Sequence, residues 1–161
     1  GNVAITPASR AYIDRAARPP TEWETPPEFF DRLNATFGPF TLDPACQMGQ
    51  YTAARVLLQG EGHIYTPLED GLKRLWDGKV FVNPPYDKSL KLWARKMALE
   101  ATWVTGPRII VALLPVRTGR PWWQQYISTA NSIIFLPGRL KFSGAENSAP
   151  FDSALALWWK I

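Results

Sequence analysis

Short aliphatic runs alternate with stretches of helical periodicity along most of this 161-residue chain. The aliphatic runs at 40–42, 79–82, 108–114, 132–136 and 153–160 are typical of buried strands. Apolar side chains recur at helical spacing in 29–37, 90–104 and 121–130. This alternation predicts an α/β fold with a mostly parallel sheet and helices on both faces.

The first helix carries sequence signals at both of its ends. Thr25-Pro26-Pro27-Glu28 has the spacing of a capping box, with proline at the first helical position. Gly38 stands where the apolar pattern stops. The pattern therefore predicts a helix between these two signals.

Composition suggests how the chain is organised. Residues 1–20 contain few large apolar side chains and end in two prolines, so we expect a flexible leader or a cloning remnant. The 46% of hydrophobic residues suffice for one large core, which predicts a single domain over 21–161. We expect no separate target-recognition domain after the last strand.

Several kinds of site and location are disfavoured by the same composition. No run approaches the roughly 18 apolar residues of a membrane span, and no secretory signal pattern is present, which predicts a cytoplasmic protein. One cysteine (Cys46) and one histidine (His63) are too few for a disulfide or a conventional zinc site, so no metal is expected. The net charge of +4 would help a polyanion to approach, but it fits an indifferent basic surface equally well.

The most informative segment follows the run 79–82. Asn83, Pro84, Pro85 and Tyr86 bring an amide, a proline-fixed backbone carbonyl and an aromatic ring to the end of one strand. The Asn83 oxygen and the Pro84 carbonyl could each accept one N–H of an exocyclic amine and stabilise the positive charge that grows during methylation. Tyr86 could stack on the flat base. A proline-rich turn that merely closes a strand is the alternative.

Two carboxylates are predicted at the same edge of the sheet. Asp43 follows the short strand 40–42, and Asp70 precedes a turn, although either could simply be a cap or turn residue. Ligands of open α/β sheets bind outside the carboxyl ends of the strands. Asp43 could accept hydrogen bonds from the ammonium of a bound amino-acid moiety, and Asp70 could accept them from the adenine amine of a cofactor.

These segments, in this order, resemble the phage-type DNA N6-adenine methyltransferases (the phage Dam family). The resemblance covers about 23–158, and its matching pieces are Trp23-Glu24-Thr25-Pro26-Pro27, Leu42-Asp43-Pro44-Ala45, Asp70-Gly71-Leu72 with Trp76, Val82-Asn83-Pro84-Pro85-Tyr86, Leu113-Leu114-Pro115, and Gly138-Arg139-Leu140-Lys141-Phe142.

The resemblance implies a Rossmann-like, class I methyltransferase fold: a seven-stranded, mostly parallel sheet with the last strand inserted antiparallel. It also implies S-adenosylmethionine as cofactor and double-stranded DNA as partner, in a host bacterial cytoplasm if the protein is phage-encoded. The implied cofactor-binding residues are Trp23, Thr25, Pro26, Asp43, Pro44, Ala45, Asp70, Gly71 and Leu72. The implied catalytic residues are those of the Asn83–Tyr86 corner.

The chain departs from the family pattern in its cofactor region. Only Gly49 stands where a glycine-rich turn is usual, and the stretch between Asp43 and Asp70 leaves little room for a second strand. Glu69 is the candidate for the acid that holds the ribose.

DNA contacts would have to come from loops of the core. The candidates are Arg117, Thr118, Arg120, Arg139 and Lys141, each of which could instead be a solvated or ion-paired residue. With so few base-reading groups, we expect a short or relaxed sequence preference. Trp122 and Trp123 could wedge DNA, but core packing is the favoured use.

Other functions stay open on the residues alone. The acceptor could be RNA adenine, cytosine N4 or a protein glutamine, because each presents a planar nitrogen. The chain could also be a catalytically silent DNA-binding protein with the same fold. The sequence does not indicate the oligomeric state.

Overall fold

The computed structural model describes residues 6–7, 23–47 and 52–161. The helices with described bounds are α1 (Pro27–Phe37), α2 (Thr52–Gln59), α3 (Leu90–Glu100), α4 (Pro121–Gln125) and a 3₁₀ turn (Ile127–Thr129). The strands are β1 (Leu42–Asp43), β2 (His63–Ile64), β3 (Lys79–Val82), β4 (Ile109–Pro115), β5 (Ser132–Phe135) and β6 (Ser153–Trp159). Apart from residues 6 and 7, the expected leader lies outside the described residues, and so does Gly49.

The strands form one sheet in the order β2-β1-β3-β4-β6-β5. Strands β1 to β4 pair in parallel, whereas β6 lies antiparallel between β4 and β5, as expected for the last strand. The described residues form six strands rather than the seven expected, because 65–78 takes up turns and irregular backbone between β2 and β3. Because β1 to β5 all run in the same direction, their carboxyl ends meet at one edge of this mixed sheet.

Helices cover both faces of this sheet, as predicted. Ile110, Ala112 and Leu114 of β4 pack on the face that α3 and α4 cover. Val111 and Leu113, which point the other way, pack with α1 and α2. A strand buried on both faces has no polar positions to alternate, which explains the continuous aliphatic run of β4.

Several predicted boundaries differ from the structure. The capping-box prediction was wrong, because Pro26 occupies the N-cap of α1 and no side chain caps that end. Helix α3 ends at Glu100, so Val104, which is 92% exposed, does not extend its buried face. Helix α4 ends at Gln125, before the 3₁₀ turn, and β1 is displaced to Leu42–Asp43.

No helix among the described residues is long and apolar enough to cross a membrane.

Candidate active site

The side chain of Asn83 lies at the carboxyl end of β3 and is held by a segment 60 residues earlier in the chain. Its Nδ2 donates to the Trp23 carbonyl oxygen at 2.6 Å and to Thr25 Oγ1 at 3.1 Å. A backbone carbonyl can only accept, so this contact fixes which end of the amide faces Trp23. The Thr25 hydroxyl is therefore used by Asn83 and not by the end of α1.

The opposite end of the same amide has no hydrogen-bond partner among the described residues. Asn83 is 5% exposed, and its Oδ1 atom is buried and accepts no hydrogen bond from the described residues. A buried amide oxygen without a donor costs about 1 to 3 kcal/mol. Such an orphaned acceptor needs an explanation, and a ligand N–H would satisfy it.

Tyr86 is fixed by its hydroxyl group. The hydroxyl donates to the Leu113 carbonyl at 3.0 Å, and the half-buried ring makes edge contacts with Phe142 and Phe151. Burial raises the pKa of Tyr86 far above its usual range, although the nearby Arg117 opposes the shift. The phenol therefore stays protonated as a donor and sets the position of the ring.

Asp43 lies at the end of β1 and is 5% exposed. Its Oδ1 accepts from the Ala45 backbone N–H at 3.0 Å. Burial raises the pKa of Asp43 from 3.8 to about 7, and the Ala45 hydrogen bond opposes the shift only in part. A carboxylate in this condition gains stability from a cation placed beside it.

A cavity of about 310 Å³ opens beside these strand ends. It brings together four predicted cofactor residues and one residue of the corner: Pro44, Asp70, Gly71, Leu72 and Pro85. Sequence reasoning missed the remaining lining residues, which are Gln47, Thr66, Pro67, Asp87, Ser89 and Trp93. Thr66 follows β2 at the carboxyl edge, which was the one signal that could have found it.

Close packing shapes one wall of this cavity. A Cβ added to Gly71 would lie 1.9 Å from the Pro44 carbonyl oxygen, so only glycine allows the two loops to meet. The Gly71 carbonyl in turn accepts from the Trp76 indole N–H at 2.9 Å. Asp70 has a positive φ of 62° and accepts from the Leu72 N–H at 3.1 Å. These contacts explain the Asp70-Gly71-Leu72 spacing to Trp76.

The candidate ribose acid does not reach this cavity. The Glu69 carboxylate accepts from the N–H and the hydroxyl of Thr66, which closes the turn that follows β2. As a ribose ligand, Glu69 stays a prediction. In the described part of the chain, no cluster of three His, Cys, Asp or Glu side chains could hold a metal ion.

The segment before α1 is tied to two other parts of the fold. The buried Glu24 carboxylate accepts from the N–H and hydroxyl of Thr52, at the start of α2. The backbone of Glu24 also bridges to Ser143 in the loop between β5 and β6. These contacts place Trp23, Thr25 and Pro26 beside the corner and outside the lining of the 310 Å³ cavity.

The predicted DNA-binding residues lie in loops that leave the same edge. Arg117, Thr118 and Arg120 follow β4, and Arg139 and Lys141 lie between β5 and β6. Arg139 pairs with Asp152 at 3.3 Å, in a contact exposed enough to contribute at most about 1 kcal/mol. The carbonyl of Thr118 accepts from the Gln124 side chain. Trp123 is in the core, as favoured, whereas Trp122 is half-buried.

Comparison with known proteins gives this edge a context. Residues 17–158 match the family model described as DNA N-6-adenine-methyltransferase (Dam). The chain belongs to the Dam family. No curated protein sequence matches the chain.

The fold is shared with a more distant protein. The crystal structure of a candidate RNA methyltransferase from Pyrococcus horikoshii is similar, with a TM-score of 0.54 at 9% identity. The alignment covers 92% of this chain and 94% of that one. At such low identity, the likeness concerns the fold, which is the fold of a methyltransferase.

Membership of the Dam family supports methyl transfer to adenine in DNA and implies a methyl donor of the S-adenosylmethionine type. The match spans the corner, the 310 Å³ cavity and the basic loops.

Proposed function

We propose that this protein transfers a methyl group from S-adenosylmethionine to N6 of adenine in double-stranded DNA, with a short or relaxed sequence preference. The observation that carries the proposal is the Asn83 amide, which is fixed by two hydrogen bonds and whose oxygen has no partner in the described part of the chain.

The corner can activate an aromatic amine. The adenine amine is a weak nucleophile because its lone pair is delocalised into the ring. If Asn83 Oδ1 and the Pro84 carbonyl each accept one N–H, they draw the nitrogen toward tetrahedral geometry and stabilise its growing positive charge. An amide takes up no proton at neutral pH, so the proton leaves to solvent after methylation.

Access to the corner requires movement. The Asn83 oxygen is shielded from solvent in the structure, so an incoming base has to displace the groups that cover it. The acceptor is thereby kept dry until the substrate arrives, and electrostatic stabilisation is stronger when water is excluded.

Residues at and beside the cavity fit the cofactor. Asp43 precedes the lining residue Pro44 at the end of β1, and with its pKa raised by burial it suits the ammonium of the methionine moiety. Asp70, which lines the cavity, suits the adenine amine. Leu72 and Pro44 supply apolar walls for a flat ring. The cofactor contributes an activated methyl group, whereas the protein residues bind and orient the two reactants.

The acceptor and its preference rest on different observations. Family membership favours adenine in DNA over RNA adenine, cytosine N4 or glutamine, which the corner alone would also accept. Exposed basic residues contact the sugar–phosphate backbone of DNA more readily than its base edges. Each good contact to a base edge adds only about 1 to 3 kcal/mol of discrimination between bases. A relaxed preference follows.

The decisive experiment is mass spectrometry of nucleosides from duplex DNA treated with the protein and S-adenosylmethionine. We expect N6-methyladenosine in its deoxy form and no methylated cytosine. RNA and protein extract are treated in parallel. Methyl transfer to either of them, with none to DNA, would overturn the proposed acceptor. Digestion of the treated plasmid with several methylation-sensitive nucleases then tests the preference, and protection confined to one long sequence would contradict it.

A further inference from the structure

A second cavity, of about 300 Å³, lies between α3 and α4, outside the site described above. Its walls combine basic, aromatic and aliphatic side chains: Lys91, Leu92, Arg95, Pro121, Trp122, Gln125 and Tyr126. We call this feature the α3–α4 groove.

The two cations of the α3–α4 groove lack an internal explanation. Lys91 and Arg95 are exposed and stand at i and i+4, where like charges destabilise a helix by about 0.2 to 0.5 kcal/mol. No carboxylate among the described residues forms an ion pair with either of them. The nearest helical pair, Lys96 with Glu100, uses a different face of α3. An anionic partner would relieve this repulsion.

The floor of the groove is apolar. The Trp122 ring lies 5.9 Å from Trp123, which anchors it to the core, and Trp122 and Tyr126 are both half-buried. Leu92 is 49% exposed. A polyanion that also presents apolar faces fits this combination better than a simple anion, and the deoxyribose of a DNA strand is such a face.

The α3–α4 groove begins at the sheet edge where the carboxyl ends of β1 to β5 meet. Helix α3 follows the Asn83–Tyr86 corner after three residues, and α4 follows the loop that carries Arg117 and Arg120. A strand leaving the corner along these helices would pass both groups of cations.

We propose that the α3–α4 groove binds the sugar–phosphate backbone of the DNA strand that flanks the target adenine. Lys91 and Arg95 contact phosphates, while Trp122 and Tyr126 contact the sugars between them. This inference rests on the proposed function in its choice of DNA as the partner, and it adds a second surface to the one predicted from the loops.

The test compares two double variants with equal loss of charge. Lys91→Gln with Arg95→Gln removes the groove cations, and Arg108→Gln with Lys160→Gln removes two exposed cations from the amino edge of the sheet. Affinity for a fluorescent duplex is measured by anisotropy over a range of salt concentrations, and methyl transfer is measured alongside.

For the groove variant, we expect affinity lower on the order of tenfold. Its salt dependence (the slope of log K against log salt) should fall by about 2, one for each phosphate contact. The effect on transfer should appear in KM and leave kcat unchanged. Trp122→Ala should lower affinity by roughly three- to tenfold with the slope unchanged.

An unchanged affinity and slope in the groove variant, or an equal change in the control, would overturn the inference while leaving the proposed function intact. The inference survives and the proposed function fails if the parent protein binds DNA and the groove variant shows the expected smaller salt dependence, but neither protein methylates DNA. A parent that binds no DNA would overturn both.

Discussion

The corner at Asn83 and the loops around Asp70 meet at the same sheet edge but are built differently. Long-range hydrogen bonds fix the Asn83 amide, and its oxygen accepts no hydrogen bond from the residues that the structure describes. The Asp70 loop is fixed by close backbone packing of Gly71 on Pro44 and by the Trp76 indole. In the proposed mechanism, the corner offers a fixed acceptor to the transition state, whereas the Asp70 loop shapes the cofactor pocket. The two regions should therefore fail in different kinetic parameters.

The sharpest separation is expected from Asn83→Ala. Loss of a preorganised polar group at the reacting centre costs about 10²- to 10³-fold in rate, so kcat should fall at least that far. The cofactor dissociation constant, measured by calorimetry, should stay near that of the parent. Because the variant leaves the Trp23 carbonyl without its donor, the melting temperature has to be measured as a control. Activity equal to the parent would remove Asn83 from the mechanism.

Gly71→Ala should produce the opposite pattern. The new Cβ would meet the Pro44 carbonyl, and overpacking of this kind costs about 1 to 3 kcal/mol. We expect cofactor affinity to fall on the order of tenfold to a hundredfold, with kcat at saturating cofactor much less affected.

Gly60→Ala is the matched control for this change. A Cβ at Gly60 would meet its nearest atom at 3.9 Å, an ordinary contact, so affinity should be unchanged. An equal loss in both variants would show that the packing of Gly71 on Pro44 is not the cause.

The pKa of Asp43 predicts a pH dependence on the cofactor side alone. In its proposed role, Asp43 pairs with the cofactor ammonium as an ionised carboxylate, and burial raises the pKa of Asp43 to about 7 in the protein without cofactor. Cofactor affinity should therefore rise by up to about tenfold for each pH unit below pH 7, and then level off until the cofactor ammonium itself loses its proton at higher pH. Calorimetry between pH 5.5 and pH 8.5 would measure it (both are roughly one and a half units from that pKa). A flat profile in the parent would contradict the assigned role.

The same shift has a consequence for folding without cofactor. The folded pKa lies above the ordinary value of 3.8, so the contribution of Asp43 to stability is present below pH 4 and is lost as pH rises through 7. Three pKa units correspond to at most about 4 kcal/mol. The free energy of unfolding, measured with denaturant at several pH values, should fall with rising pH more steeply for the parent than for Asp43→Asn within this window.

Thr25→Val should have the smallest effect. It removes one of the two acceptors that orient the Asn83 amide and leaves the Trp23 carbonyl. One hydrogen bond contributes about 0.5 to 1.5 kcal/mol, so kcat should fall roughly three- to tenfold. Thr25→Ser keeps the hydroxyl and should restore the rate. If both variants lose cofactor affinity and neither loses kcat, Thr25 belongs to the cofactor site and does not position Asn83.

The sequence by itself determined the main strands and helices and placed Asp43 and Asn83 at the carboxyl edge of the sheet. Continuous aliphatic runs and helical spacing predicted the main strands and helices, because burial on two faces or on one stripe leaves a local pattern. The same reasoning placed Asp43 and Asn83 at strand ends. The helix ends were less well predicted, as at Val104, since hydrophobic periodicity continues past the point where packing stops.

Only the tertiary structure decided how the site residues are used. Thr25 has the local signature of a cap, yet its hydroxyl binds Asn83, 58 residues later. The raised pKa of Asp43 and the contact of Gly71 with Pro44 likewise depend on segments that are distant in sequence. Hydrogen-bond partners and burial are set by what the folded chain brings within a few ångströms, and a linear pattern carries no record of those neighbours.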